Sequence, residues 1–167
     1  MTGSLPEVIF EALYEGVSPP VRATAQAAGY DLCAHLRART VRMYRAGVET
    51  ERAMTGDSAL VLEPGDVALV PLGFRARLPD GYEAQIRIRS SAALKKGLTL
   101  PNAPGTIDAD YPDEWLVMVR NSGTVPARID HGERIAQVIL ARYAVLEWRE
   151  GVVTRSTDRR GGLGSTG

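Results

Sequence analysis

Glycine and proline break this chain about every ten residues through its middle, at Pro64-Gly65, Pro71, Gly73, Pro79, Gly81, Gly97, Pro101, Pro104, Gly105, Pro112, Gly123, Pro126 and Gly132. Breaks this frequent leave room for short strands and little else. Between them the apolar residues recur with a period of two: Tyr82, Ala84, Ile86 and Ile88 alternate with Glu83, Gln85, Arg87 and Arg89, and Trp115, Val117 and Val119 form a second set. No stretch long enough for an ordinary helix keeps a helical period. One short helix is expected after Ser90, where Ala92, Ala93, Leu94, Lys95 and Lys96 precede Gly97. Short strands with frequent turns predict an all-β fold, a sandwich or barrel of the jelly-roll kind.

Length and charge narrow the function classes. At 167 residues the chain is one domain long. Twenty basic residues balance twenty acidic ones, so no global field draws the protein to a membrane or to nucleic acid. One cysteine, Cys33, and two histidines, His35 and His131, fall short of a zinc site; both histidines read as surface or capping residues. Any metal is therefore a hard cation held mainly by substrate oxygens. The lone Cys33 suits a reducing compartment, and with no signal segment or spanning apolar run the expected address is the cytoplasm.

Two stretches differ from the rest. Residues 35–57 hold five arginines, at 37, 39, 42, 45 and 52, around a Gly47 turn. This reads as a solvated, twisted hairpin inserted in the domain, the alternative being a patch for a partner or nucleic acid. Residues 151–167 are rich in Gly, Ser, Thr and Arg and read as a mobile arm following a domain that spans residues 1–150.

Four segments carry polar residues that a core would not select. Arg89-Ser90-Ser91 ends a strand and opens the short helix, an arrangement that binds phosphate or merely caps. In the segment from Asn102 through Gly105, Thr106, Ile107 and Asp108 to Asp110 and Tyr111, the two carboxylates point to opposite sides if the backbone is extended. Gln137 is expected to share a strand face with Ile135 and Ile139, and a buried amide there needs a partner. Arg159, Arg160, Leu163, Gly164 and Ser165 lie in a glycine-rich run of donors that lacks P-loop spacing.

Taken in order, these segments decide more than each does alone. Ala28-Gly29-Tyr30-Asp31-Leu32, Arg89-Ser90-Ser91, Gly105 through Tyr111, Gly132 through Gln137, and Gly162 through Gly167 resemble the five ordered motifs of the trimeric dUTPase family, from about residue 24 to the end. The resemblance implies a distorted jelly-roll barrel assembled as a homotrimer with sites between subunits. It implies hydrolysis of dUTP to dUMP and pyrophosphate with Mg²⁺, and no stable nucleic-acid or membrane partner. Asp108 matches the general base that activates water. Asp31 matches the carboxylate that reaches Mg²⁺ through water. Arg89, Ser90, Ser91 and Gln137 match phosphate contacts. Asn102 and the backbone of Gly105, Thr106 and Ile107 match the uracil reader, and Tyr111 the residue that packs under deoxyribose. Arg159 or Arg160 would meet the γ-phosphate, with Leu163, Gly164 and Ser165 in the closing arm. Ser91 stands where the family has Gly, Leu163 where it has an aromatic residue, and the arm is one residue short. The deaminase branch of this fold places a catalytic Glu three residues before an Asn-Ser-Gly turn. Here Met118 precedes Asn121-Ser122-Gly123, which disfavours that reading. Retention of Asp31, Asp108, Tyr111 and Gln137 disfavours a non-catalytic binding module.

Overall fold

A computed structural model describes residues 5–56 and 59–158. The described residues form the strands β1 (Ile9–Ala12), β2 (Val21–Arg22), β3 (Tyr30–Cys33), β4 (Thr40–Arg45), β5 (Val48–Ala53), β6 (Leu60–Leu62), β7 (Val67–Pro71), β8 (Phe74–Arg77) and β9 (Tyr82–Ile88). The helix α1 (Ser90–Lys96) follows, then β10 (Leu98–Thr99), β11 (Gly105–Ile107), β12 (Leu116–Asn121), β13 (Ala127–Ile129) and β14 (Arg134–Arg142). Two five-stranded sheets run in the orders β10-β12-β7-β4-β5 and β11-β9-β14-β3-β2, and the pairs β1-β8 and β13-β6 add smaller ribbons. The strand pairs are antiparallel.

The period-two pattern explains the packing. Ala84 and Ile86 of β9 turn inward while Glu83, Gln85 and Arg87 turn out. From the other sheet Val41, Ala68, Val70, Val117 and Val119 are fully buried against them in one core. This two-sheet, all-β arrangement is the expected jelly roll. The short helix also forms as the sequence predicts. It stops at Gly97, whose φ of 64° is left-handed, and a side chain there would lie 2.9 Å from the Gly123 Cα.

Residues 35–57 do contain a hairpin, β4-β5, and β5 is exposed along its whole length. β4, however, is a sheet strand: Met43 pairs with Ala68 and Tyr44 with Val67 of β7. Leu36, Val41, Met43 and Met54 enter the core. Several of the arginines are committed within the fold. Arg45 holds the buried Asp66 through two contacts of 2.6 and 2.9 Å, and Arg52 donates to the Val61 carbonyl at 2.9 Å. The picture of a separable surface hairpin therefore fits β5 and not β4.

His131 caps a turn, as its surroundings suggest. Its Nδ1 accepts the Leu36 N–H at 3.0 Å and the Arg37 N–H at 3.4 Å. His35 is wedged between Tyr14, stacked at 4.8 Å, and His131, edge-on at 5.0 Å. No described helix is long and apolar enough to cross a membrane.

Candidate active site

β3 and β14 bring two of the motifs side by side. Asp31 and Gln137 are direct partners across these strands, and Gln137 also faces Arg87 of β9. Asp31 is 12 % exposed and forms ion pairs with Arg89 and with Arg134, the latter at 3.1 Å. Arg89 reaches it because β9 ends beside the start of α1, where Arg89 is the extended N-cap residue. Ser90 and Ser91 follow, both exposed, and the first helical turn contains no acidic residue to repel an anion. A carboxylate, two guanidinium groups, two hydroxyls and an amide thus gather at one end of this sheet. Nearby, the Cys33 thiol is pushed up by burial and next by Asp31, so it is a poor nucleophile.

The expectation that Ile135, Gln137 and Ile139 share one face fails at Ile135. The register shifts between Arg134 and Ala136, and this bulge turns Ile135 into the core while Gln137 stays half-buried on the outer face. Gln137 lies over Gly29: a side chain at Gly29 would come within 2.2 Å of Oε1. The bulge also explains why Arg134 joins Asp31, a contact that the sequence pattern does not disclose.

The third motif lies along the other edge of β9. Gly105, Thr106 and Ile107 pair with Ile86, Gln85 and Ala84. Before them a tight turn with a cis Ala103-Pro104 bond exposes Asn102, whose amide Nδ2 stands 3.4 Å from where a Gly105 side chain would begin. After Ile107 the strand stops, and the Tyr111 N–H donates back to the Asp108 carbonyl at 3.2 Å. The backbone is therefore not extended here. Asp108 and Asp110, both exposed, open on the same cleft of about 480 Å³ with Asp80, Glu83 and Tyr143, rather than on opposite sides. Tyr111 is half-buried, and its hydroxyl makes a long 3.4 Å contact to the Glu114 carbonyl.

These two groups do not meet within one chain. Ile107 sits opposite Ala84, and Ser90 lies six residues further along, so Asp108 and the serines are roughly 20 Å apart. Arg159, Arg160, Leu163, Gly164 and Ser165 lie outside the described residues. An apolar cavity of about 250 Å³, lined by Phe10, Tyr30, Phe74, Trp115, Val138 and Leu140, includes none of the predicted site residues.

A family model described as dUTPase matches residues 57–167. A deoxyuridine 5'-triphosphate nucleotidohydrolase of Desulfotalea psychrophila is 41 % identical over 154 residues, which cover 92 % of this chain and 89 % of that protein. Among solved structures, a Staphylococcus bacteriophage 80alpha dUTPase variant with dUpNHpp matches with a TM-score of 0.74 at 21 % identity, covering 96 % of this chain and 98 % of the other. The dUTPase of Streptococcus mutans matches with a TM-score of 0.62 at 24 % identity, covering 84 % and 99 %. The jelly roll, the ordered motifs and these relatives lead to one conclusion: the chain belongs to the dUTPase family.

Proposed function

We propose that the enzyme works as a homotrimer whose sites join the Asp108 hairpin of one subunit to the Asp31, Arg89 and Gln137 cluster of a neighbour. The reaction is that of the family, hydrolysis of dUTP to dUMP and pyrophosphate. The roughly 20 Å gap between the Asp108 end of β11 and Ser90 carries the composite-site reading, because a triphosphate cannot engage both within one chain.

The residues then divide the work. Asn102 and the backbone of Gly105, Thr106 and Ile107 read the uracil edge. Cytosine exchanges a donor for an acceptor there, so a fixed array leaves buried polar groups unpaired and rejects it. Tyr111 packs under the sugar. Asp108, exposed in its cleft, takes a proton from the attacking water in line with the α-phosphorus. Arg89, Ser90, Ser91 and Gln137 bind phosphate oxygens and hold the chain for that attack. When substrate enters, Arg89 must turn from Asp31 toward phosphate, leaving Arg134 as the ion-pair partner of Asp31. Residues 151–167 act as the arm: Arg159 or Arg160 meets the γ-phosphate, while Leu163, Gly164 and Ser165 close over the nucleotide and exclude water.

Among the described residues no three acidic, His or Cys side chains are placed to hold a metal ion among themselves, and Asp31 is the one carboxylate in the phosphate cluster. That donor set would suit a Mg²⁺ brought in with the triphosphate, with Asp31 as the protein carboxylate that would help hold it. When bound, Mg²⁺ neutralises charge on the leaving pyrophosphate. The lone Cys33 and the balanced charge favour a cytoplasmic enzyme that needs no nucleic acid or membrane. Pyrophosphate release from dUTP, dCTP and dTTP tests the reading: rapid turnover of dUTP alone is expected, and equal turnover of dCTP would contradict it.

A further inference from the structure

Residues 35–57 have no part in the mechanism above, yet one of their arginines reaches the nucleotide hairpin. Arg39 precedes β4 and grips Glu114 with a two-pronged contact, Nη1 to Oε1 at 3.0 Å and Nη2 to Oε2. The two side chains are only 12 % and 16 % exposed. Glu114 Oε1 also accepts the Gly73 N–H at 2.7 Å, and the Arg39 guanidinium lies 4.4 Å from the centre of the Tyr14 ring. Glu114 therefore has a fixed place, held by a guanidinium and a backbone amide. It also ends the segment that begins at Asp108, and its carbonyl faces the Tyr111 hydroxyl. Arg39, Arg42, Tyr111, Asp113 and Glu114 line one cavity of about 310 Å³.

Elsewhere in this segment Asp108, Asp110, Pro112 and Asp113 are exposed, while Ala109 and Tyr111 rest half-buried against the core. The neighbouring backbone ties are Tyr111 N–H to Asp108, Trp115 N–H to Phe74 and Leu72 N–H to Trp115. A ring that selects against a single extra hydroxyl must be held to a fraction of an ångström, and packing on one side of a largely exposed segment leaves its other side to the Glu114 contact. We infer that Arg39 is a positioning residue for sugar selection, clamping Glu114 so that the Tyr111 ring is fixed under the deoxyribose. The inference rests on the reading of Tyr111 as the sugar-packing residue. It also gives the arginine-rich segment a role, as a brace for the substrate hairpin.

Comparison of kcat/KM for dUTP and UTP tests it in Arg39→Ala, Arg39→Lys, Tyr111→Ala and the Arg39→Ala/Tyr111→Ala double variant. Tyr111→Ala should collapse the dUTP preference. Arg39→Ala should lower it roughly tenfold, the scale on which residues of one network couple. Arg39→Lys should recover part of the preference, since an ammonium keeps the charge but not the planar fork. The double variant should be no less selective than Tyr111→Ala alone. An unchanged preference in Arg39→Ala beside a collapsed one in Tyr111→Ala overturns the inference and leaves the Tyr111 reading standing, as does an additive double variant. An unchanged preference in Tyr111→Ala overturns both. Should Arg39→Ala fail to fold, Glu114→Gln keeps the acceptor for Gly73 while weakening the Arg39 clamp, and the same outcomes apply.

Discussion

Asp31 is held by two arginines and faces Gln137 across the strand pair, so its carboxylate is an ion-pair partner before any substrate arrives. Asp108, by contrast, stands exposed in an acidic cleft where a water can approach it. Asp108→Asn should therefore lower kcat by about a hundredfold to ten-thousandfold while dUpNHpp binds with similar affinity. A variant retaining more than about a tenth of kcat would remove Asp108 from the role of base. Gly29 offers a finer test, since a methyl group there displaces the end of the Gln137 side chain. Gly29→Ala should leave the melting temperature nearly unchanged and lower kcat/KM by about tenfold or more, because a small misplacement at a reacting centre is costly. Unchanged kinetics would show that Gln137 does not need this seat. The sequence motifs identify Asp31, Arg89, Gln137 and Asp108 but not Arg134, Glu114 or Arg39. Arg134 depends on a bulge, and Arg39 with Glu114 on a contact between residues 75 positions apart. Neither leaves a local pattern.

Among the elements, β9 and β12 are plain in the sequence because their alternating apolar residues enter one core. β4 is disguised. Its Val41 and Met43 are buried, but the arginines interleaved with them make the segment read as solvated surface. The two strands of this hairpin should thus respond differently. Leu36→Ala, beside β4, should cost about 2–5 kcal/mol in chemical denaturation, whereas Glu51→Ala on exposed β5 should stay within about 0.5 kcal/mol. Equal, small effects would restore the separable-insertion picture. Deleting 35–57 outright should expose core and disrupt folding. The same region should respond to pH. Burial, then His131 and Arg39, hold the His35 imidazole below its usual 6.5, with Arg37 adding to this and Glu114 opposing it. The unfolded chain takes up that proton first, so the contribution is complete above 6.5 and lost as pH falls through it toward the folded value. The melting temperature should drop between about pH 7.5 and about pH 5.5, and His35→Asn should flatten that drop. An identical drop in His35→Asn would place the acid sensitivity elsewhere.

Across the whole molecule, the fold keeps Asp108 and the cluster of Asp31, Arg89 and Gln137 on one sheet but at a distance. That separation follows from the register of β11 on β9, which motif order alone does not reveal. The proposed cyclic trimer would resolve it, since each site could then take its hairpin from one copy and its cluster from the next. Mixing two inactive subunits tests this arrangement. Asp108→Asn and Arg89→Ala proteins, unfolded together at equal concentration and refolded, should form mixed trimers. If sites span subunits, about one quarter of them receive an intact Asp108 from one chain and an intact Arg89 from its neighbour. Hydrolysis of dUTP should then recover to about that fraction of the unmodified enzyme's rate; activity no greater than that of the two separate parents would contradict the shared site.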